Sequence, residues 1–212
     1  LFLTDDPAEA RKLTEVLNKY NQDRQEIEKR IFCEAVDLVT NTDEPCIVVG
    51  KENWHHGVIG IVASKITEMY YKPSILLCYE DGIARGSGRS IKGFDLHEAL
   101  ENCNTYIDQF GGHSMAIGIT IKEENISKFK QQFEDYARSQ KIEEIVPIIQ
   151  VDQKVELSNI SIKDIKDLKL LEPYGEANNV PIFQINNLKI ESIRAISEGK
   201  HLKMFLKDEN NK

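Results

Sequence analysis

Between Pro45 and Ser139 short apolar runs of strand length alternate with segments of helical period, and this alternation restricts the chain to an α/β architecture. Cys46-Ile47-Val48-Val49 and the run Ser74 to Tyr79 read as buried strands, with a helix rich in small residues, Gly57 to Tyr70, between them. Asp81-Gly82 predicts a tight hairpin turn into a strand from Ile83 to Ser87. A helix is expected from Asp95 to Leu100, a strand from Met115 to Ile121, and a helix from Glu123 to about Ser139. The expected centre is therefore a mixed β-sheet flanked by helices.

The flanking segments read differently. Pro7, placed after Asp5 and Asp6, suits the first turn of a helix, and a charged pattern with apolar Leu13, Val16, Leu17, Tyr20, Ile27, Ile31 and Val36 continues to about Leu38. At ~1.5 Å per residue such a helix reaches on the order of 45 Å, enough to join two domains; a surface helix packed on its own domain fits the pattern equally. After Lys141 the sequence predicts a strand-like run Ile145 to Val155, a short helix Ser161 to Leu171, and a turn-rich connector from Glu172 to Asn179. Phe183 to Ile190 and Leu202 to Leu206 read as strands separated by Glu198-Gly199, too few to close a small barrel. The organisation expected is a linker helix at 1–40, an α/β substrate-binding domain at 41–142, a connector at 143–180, and a partial β-barrel segment from 181 to 212.

Composition narrows the function classes. With 212 residues, 41% hydrophobic and 29% charged, the chain is expected to be globular and soluble. No run is apolar enough for a membrane span, and Leu1-Phe2-Leu3-Thr4-Asp5-Asp6 lacks the basic region of an export signal, so a cytoplasmic location is expected. A first residue other than Met reads as an excised piece. Cys33, Cys46, Cys78 and Cys103 lie far apart without metal-ligand spacing and read as reduced packing residues. The formal net charge of −8 argues against non-specific wrapping of nucleic acid, so any phosphate site must be local.

Two glycine-centred segments carry the chemistry: Gly86-Ser87-Gly88-Arg89-Ser90 and Phe110-Gly111-Gly112-His113. The first sets a guanidinium and two hydroxyls beside compact backbone and the second an imidazole, a combination suited to an anionic substrate. Each falls beside an expected strand, so both are expected at one sheet edge, where loops form shared pockets. Taken singly, each has a plain alternative, a solvated loop arginine and a turn.

Trp54-His55-His56-Gly57-Val58-Ile59-Gly60-Ile61-Val62-Ala63-Ser64-Lys65, the two glycine segments, and Leu171-Glu172-Pro173-Tyr174-Gly175 resemble, in that order, the C-terminal half of the RecJ-type single-strand-specific exonucleases of the DHH superfamily. The segment Asn21 to Ile31 is similar to that family's interdomain connector, and the stretch after Pro181 to the opening of its OB-fold domain. The resemblance implies a DHH-associated domain that faces a metal-bearing N-terminal DHH domain of the same chain and holds single-stranded DNA for degradation from the 5′ end. It implies manganese or magnesium in that other domain. His55-His56 is not the Asp-His-His signature, since Trp54 precedes it, and no carboxylate and imidazole cluster for two-metal hydrolysis is visible. No catalytic or metal residue and no cofactor is therefore assigned to this chain, which is expected not to cut DNA by itself.

On this resemblance Arg89 is the phosphate clamp, Ser87 and Ser90 add donors, and Gly86 and Gly88 let backbone approach the strand. His113 reaches the phosphate or packs under the loop, while Gly111 and Gly112 shape it. Arg85, Lys92, His55 and Trp54 are weaker candidates: Arg85 and Lys92 as patch or solvated residues, His55 as a helix cap or contact, and Trp54 as a stacking platform or core anchor. Partners implied are single-stranded DNA and other DNA-repair proteins, without a membrane. Two alternatives stay open: a relative acting on short oligonucleotides, cyclic dinucleotides or nucleotide phosphates, and a non-enzymatic protein-interaction module.

Overall fold

The computed structural model describes residues 1–208 apart from Glu176 and Glu198, so the expected Glu198 separator and residues 209–212 lie outside the described residues. It divides into two units, Leu1–Pro147 and Ile148–Lys212. In the first unit, α1 (Pro7–Leu38) begins where Asp6 accepts a hydrogen bond from the Ala8 N–H at 2.9 Å with Pro7 in the first turn. There follow β1 (Ile47–Glu52), α2 (His56–Tyr70), β2 (Ser74–Glu80), β3 (Ile83–Arg89), α3 (Leu96–Asn102), β4 (Gln109–His113), β5 (Ala116–Lys122) and α4 (Ile126–Ser139). Asp81 and Gly82 both take positive φ, 53° and 78°, which is the two-residue hairpin that their sequence predicts.

The sheet has the order β1-β2-β3-β5-β4, with β1 and β2 parallel and the other pairs antiparallel. One face packs Ile75, Leu77, Ala84, Ile117, Ile119 and Ile121 against Leu96, Leu100, Phe129 and Phe133 of α3 and α4. The other carries α2, with Leu76 among Ile59, Val62 and Ile66, and beyond it α1 through Ile31 and Ala35. Only the C-terminal part of α1 is packed in this way: its buried residues are Glu28, Ile31 and Ala35, whereas Val16, Leu17 and Tyr20 of the same predicted stripe are exposed.

Three expectations change. The Gly-Gly-His segment is not a loop before a strand but the edge strand β4, hydrogen-bonded along β5. The run Ile145 to Val155 forms a paired strand only at β6 (Gln153–Lys154), which pairs in parallel with β7 (Phe183–Gln184). The single strand expected from Phe183 to Ile190 is broken, because Asn187 adopts a left-handed φ of 58° before β8 (Lys189–Ile196) begins. All four cysteines are free; Cys46 and Cys103 are buried, with burial pushing the Cys103 thiol up to about 12, while Cys33 is exposed.

In the second unit Ser161 caps α5 (Ile162–Asp167) reciprocally with Asp164. A 3-10 turn at Leu168–Leu171 follows, and the Tyr174 hydroxyl donates to the Leu168 carbonyl at 2.7 Å. The strands β8 and β9 (His201–Lys207) form an antiparallel hairpin. Among the described residues this unit holds two two-stranded sheets and no closed barrel.

Candidate nucleic-acid interface

Strand β5 reads Ala116-Ile117-Gly118-Ile119-Thr120-Ile121, and the side-chain alternation of a strand sends the three isoleucines into the core and leaves Ala116, Gly118 and Thr120 on the α2 face. Cross-strand register extends this to three rows on that face: Arg85, Thr120 and Gln109; Ser87, Gly118 and Gly111; Arg89, Ala116 and His113. The middle row has no side chain on two of its three strands, and a Cβ at Gly111 or Gly118 would meet nothing within 4 Å. The first turn of α2 stands beside this row. The result is an open groove in two adjoining parts of about 340 and 420 Å³, lined by His56, Gly57, Gly60, Arg85, Ser87, Arg89, Gln109, Gly111, Gly118 and Thr120 among others.

Electrostatics sharpen the picture. Arg89 is partly buried; its Nη1 donates to Ser87 Oγ at 3.0 Å and to the Gly88 carbonyl at 2.8 Å. Among the described residues no carboxylate lies within salt-bridge distance of it, and Nε and Nη2 have no acceptor. A partly desolvated guanidinium without a counter-ion favours an anionic ligand. None of the groove-lining residues is acidic. The N-terminus of α2, with no acidic residue in its first turn, adds a positive dipole end. Arg85, mostly exposed, has the Glu80 carboxylate at 3.3 Å as a neighbour.

The remaining predicted residues are distributed as follows. Ser90 is buried and its Oγ donates to the Phe94 carbonyl at 2.8 Å, so it holds the turn after β3. At Gly88 and Gly86 an added Cβ would point to the core and meet Ile117 at 2.8 Å and Leu77 at 2.5 Å, so close packing excludes a side chain at both, while Gly86 also lines both parts of the groove. Gly112, at φ 140°, could not carry a Cβ, which would lie 2.2 Å from the Ala116 carbonyl. His113 lies on the row of Arg89 at the sheet edge, with Nδ1 accepting from the Met115 N–H at 3.3 Å. His55 caps α2 by accepting from the Gly57 N–H at 3.1 Å. Trp54 is a core anchor, not a stacking platform: it is buried, and its Nε1 donates to Glu34 of α1 at 2.9 Å. Lys92 is exposed in the turn after β3.

His56, Gly60, Gln109, Gly118 and Thr120 belong to the groove without having been singled out from sequence. The alternation in β5 was the available signal for Gly118 and Thr120. Among the described residues no three His, Cys, Asp or Glu side chains gather where a metal ion could be held.

The second unit offers a separate basic surface. Register in the β8–β9 hairpin puts Lys189, Ser192, Arg194, Ile196, His201, Lys203, Phe205 and Lys207 on one face and Ile190, Ile193, Ala195, Leu202, Met204 and Leu206 on the other. Lys203 stands over the Phe205 ring, 5.0 Å from its centroid.

Both surfaces fall within stretches that match known protein families. The DHHA1 domain family matches residues 43–139 and the RecJ OB domain family residues 151–212. Over its whole length the chain is 35% identical to the single-stranded-DNA-specific exonuclease RecJ of Bacillus subtilis, of which it covers 28%. The chain belongs to the RecJ family. RecJ of Thermus thermophilus is 31% identical over 98% of this chain and 30% of that protein. The crystal structure of that RecJ in complex with Mn2+ matches with a TM-score of 0.82 over 96% of this chain and 30% of the solved one. The chain thus spans about three-tenths of the length of these RecJ relatives. The groove lies within the DHHA1 match, and the hairpin within the RecJ OB match. That second match begins at residue 151, so most of the stretch 143–180, read from sequence as a connector, falls inside it. Among the described residues no helix is long and apolar enough to cross a membrane.

Proposed function

We propose that this chain is the strand-gripping part of a metal-dependent exonuclease acting on single-stranded DNA, and that its groove binds a backbone phosphate next to the active site formed with a DHH domain. The observation that carries this reading is Arg89: a partly buried guanidinium without a carboxylate partner, in a groove lined by no acidic residue, on a chain of net charge −8. A phosphate oxygen pair would accept from Nε and Nη2, the Ser87 hydroxyl would donate, and the α2 amino terminus would add its dipole. Gly111 and Gly118 leave room for the sugar–phosphate chain over the sheet. Degradation from the 5′ end, and manganese or magnesium in the DHH domain, follow the resemblance to RecJ. The proposed role of this chain is binding without hydrolysis.

A relative acting on free nucleotides is the weaker reading, because the RecJ OB match and the basic, aromatic-bearing hairpin face suit a longer strand. Fluorescence anisotropy at one stated low salt tests the proposal, using a short single-stranded oligonucleotide with and without a 5′ phosphate. The expected results are tighter binding of the phosphorylated strand, roughly tenfold weakening by Arg89→Ala, and no cleavage when manganese is added. Absence of binding to both strands would overturn the reading.

A further inference from the structure

We propose that Gly60 is a positioning residue for the phosphate clamp: by carrying no side chain it gives the Arg89 guanidinium and the Ser87 hydroxyl the space in which they face the groove. This rests on reading the groove as a phosphate site. Gly60 is the fifth residue of the 15-residue helix α2, where glycine is less favourable than alanine and needs a local cause.

The cause is visible across the helix–sheet contact. Gly60, Ser64 and Thr67 form the stripe of α2 that faces β3: Thr67 Oγ1 donates to the Arg89 carbonyl, and Ser64 Oγ to the Gly60 carbonyl, both at 3.3 Å. A Cβ at Gly60 would stand 3.1 Å from Ser87 Oγ, 3.2 Å from Arg89 Nη2 and 3.6 Å from Ser87 Cβ, so its three nearest atoms all belong to those two residues. Gly57, one turn earlier, differs: its nearest atoms belong to the His55 ring that caps the helix.

The guanidinium can yield by the few tenths of an ångström this contact requires, but only by moving about its Nη1 contacts. Its Nη1 is tied to Ser87 Oγ and the Gly88 carbonyl, so a methyl at position 60 displaces Nη2 and the Ser87 hydroxyl together, the groups assigned to the phosphate. Charge-assisted hydrogen bonds depend steeply on distance and angle, so displacement costs affinity. The same methyl improves helix propensity. Gly60→Ala therefore moves binding and stability in opposite directions, which a purely structural glycine would not do.

The test compares the full chain, Gly60→Ala and Arg89→Ala, each with a short 5′-phosphorylated single strand at fixed low salt and each by thermal melting. Gly60→Ala is expected to bind roughly three- to tenfold more weakly and to melt at the parent temperature or a few degrees above it. Unchanged affinity in Gly60→Ala beside weakened Arg89→Ala overturns the proposal and leaves the groove reading standing. Weakened affinity with a lowered melting temperature also overturns it, since the glycine is then a packing requirement. Unchanged affinity in Arg89→Ala, or no binding by the parent chain, overturns the groove reading itself.

Discussion

The two serines of Gly86-Ser87-Gly88-Arg89-Ser90 look equivalent in sequence and are opposites in the fold. Strand alternation turns Ser87 to the groove beside Arg89, while Ser90, just past the strand, is buried against the Phe94 carbonyl. Ser87→Ala is accordingly expected to weaken binding of a phosphorylated single strand by roughly threefold or more while leaving the melting temperature unchanged. Ser90→Ala should do the reverse. It leaves a buried carbonyl without its donor, at a cost of about 1–3 kcal/mol, and should leave the affinity of the folded protein unchanged. Paired titrations and melts of the two variants decide this, and loss of binding in Ser90→Ala with no loss of stability would contradict it. Arg89→Lys tests the donor geometry: a lysine keeps the charge but has no planar fork, so affinity should still fall about fivefold. The motif was legible as an arginine and two hydroxyls set among glycines; which hydroxyl faces out was not, because that depends on where β3 ends.

At the level of elements, α1 is held to α2 and β1 by its C-terminal part alone. Glu28, buried in the helix interface, pairs with Lys65 of α2 and with Arg24 one turn back, and Glu34 accepts from the Trp54 indole and from Lys51. The hydrogen bond from Lys65 and then that from Arg24 hold the Glu28 carboxyl below the usual carboxylate range, against the opposing effect of burial. A carboxylate with a lowered folded-state pKa contributes stability that is fully present above its unfolded value, about 4. That contribution is lost as pH falls through the lower folded value. Melting temperatures of the parent chain and Glu28→Gln should therefore differ at pH 7, by the equivalent of roughly 1 kcal/mol, and converge in acid. A difference that persists unchanged at low pH would show that the carboxylate charge is not what holds the helix. The 3.6 period revealed α1 over nearly its observed length, but period alone does not say which turns find a partner. Val16, Leu17 and Tyr20 continue the stripe on exposed turns. In the same way Gly111 and Gly112 suggested a loop because glycine is rare in strands, whereas here one opens the groove and the other avoids the Ala116 carbonyl.

For the molecule as a whole, the contrast that matters is between a net charge of −8 and a groove lined by no carboxylate. The order of α/β elements and both glycine motifs could be read from the sequence, because local periodicity and turn chemistry encode them. The three-row face could not, since it depends on β3, β5 and β4 being neighbours, a pairing made between distant residues. Every buried residue among those described falls between Glu28 and Ile142, so residues 1–147 contain both packed cores and are expected to fold and melt cooperatively when cut after Pro147. That shortened chain isolates the groove, and salt dependence then counts its phosphate contacts. With Arg85 and Arg89 as the cations on the groove, about two contacts give a slope of log affinity against log salt of about −1.4 on single strands. The full chain adds Lys189, Arg194 and Lys203 on the hairpin face, so its slope on a long single strand should be steeper. Equal slopes for the two chains would mean that the hairpin face takes no part in binding. A slope near zero in residues 1–147 would mean that the groove does not neutralise phosphate, and the unpaired guanidinium would then require another explanation.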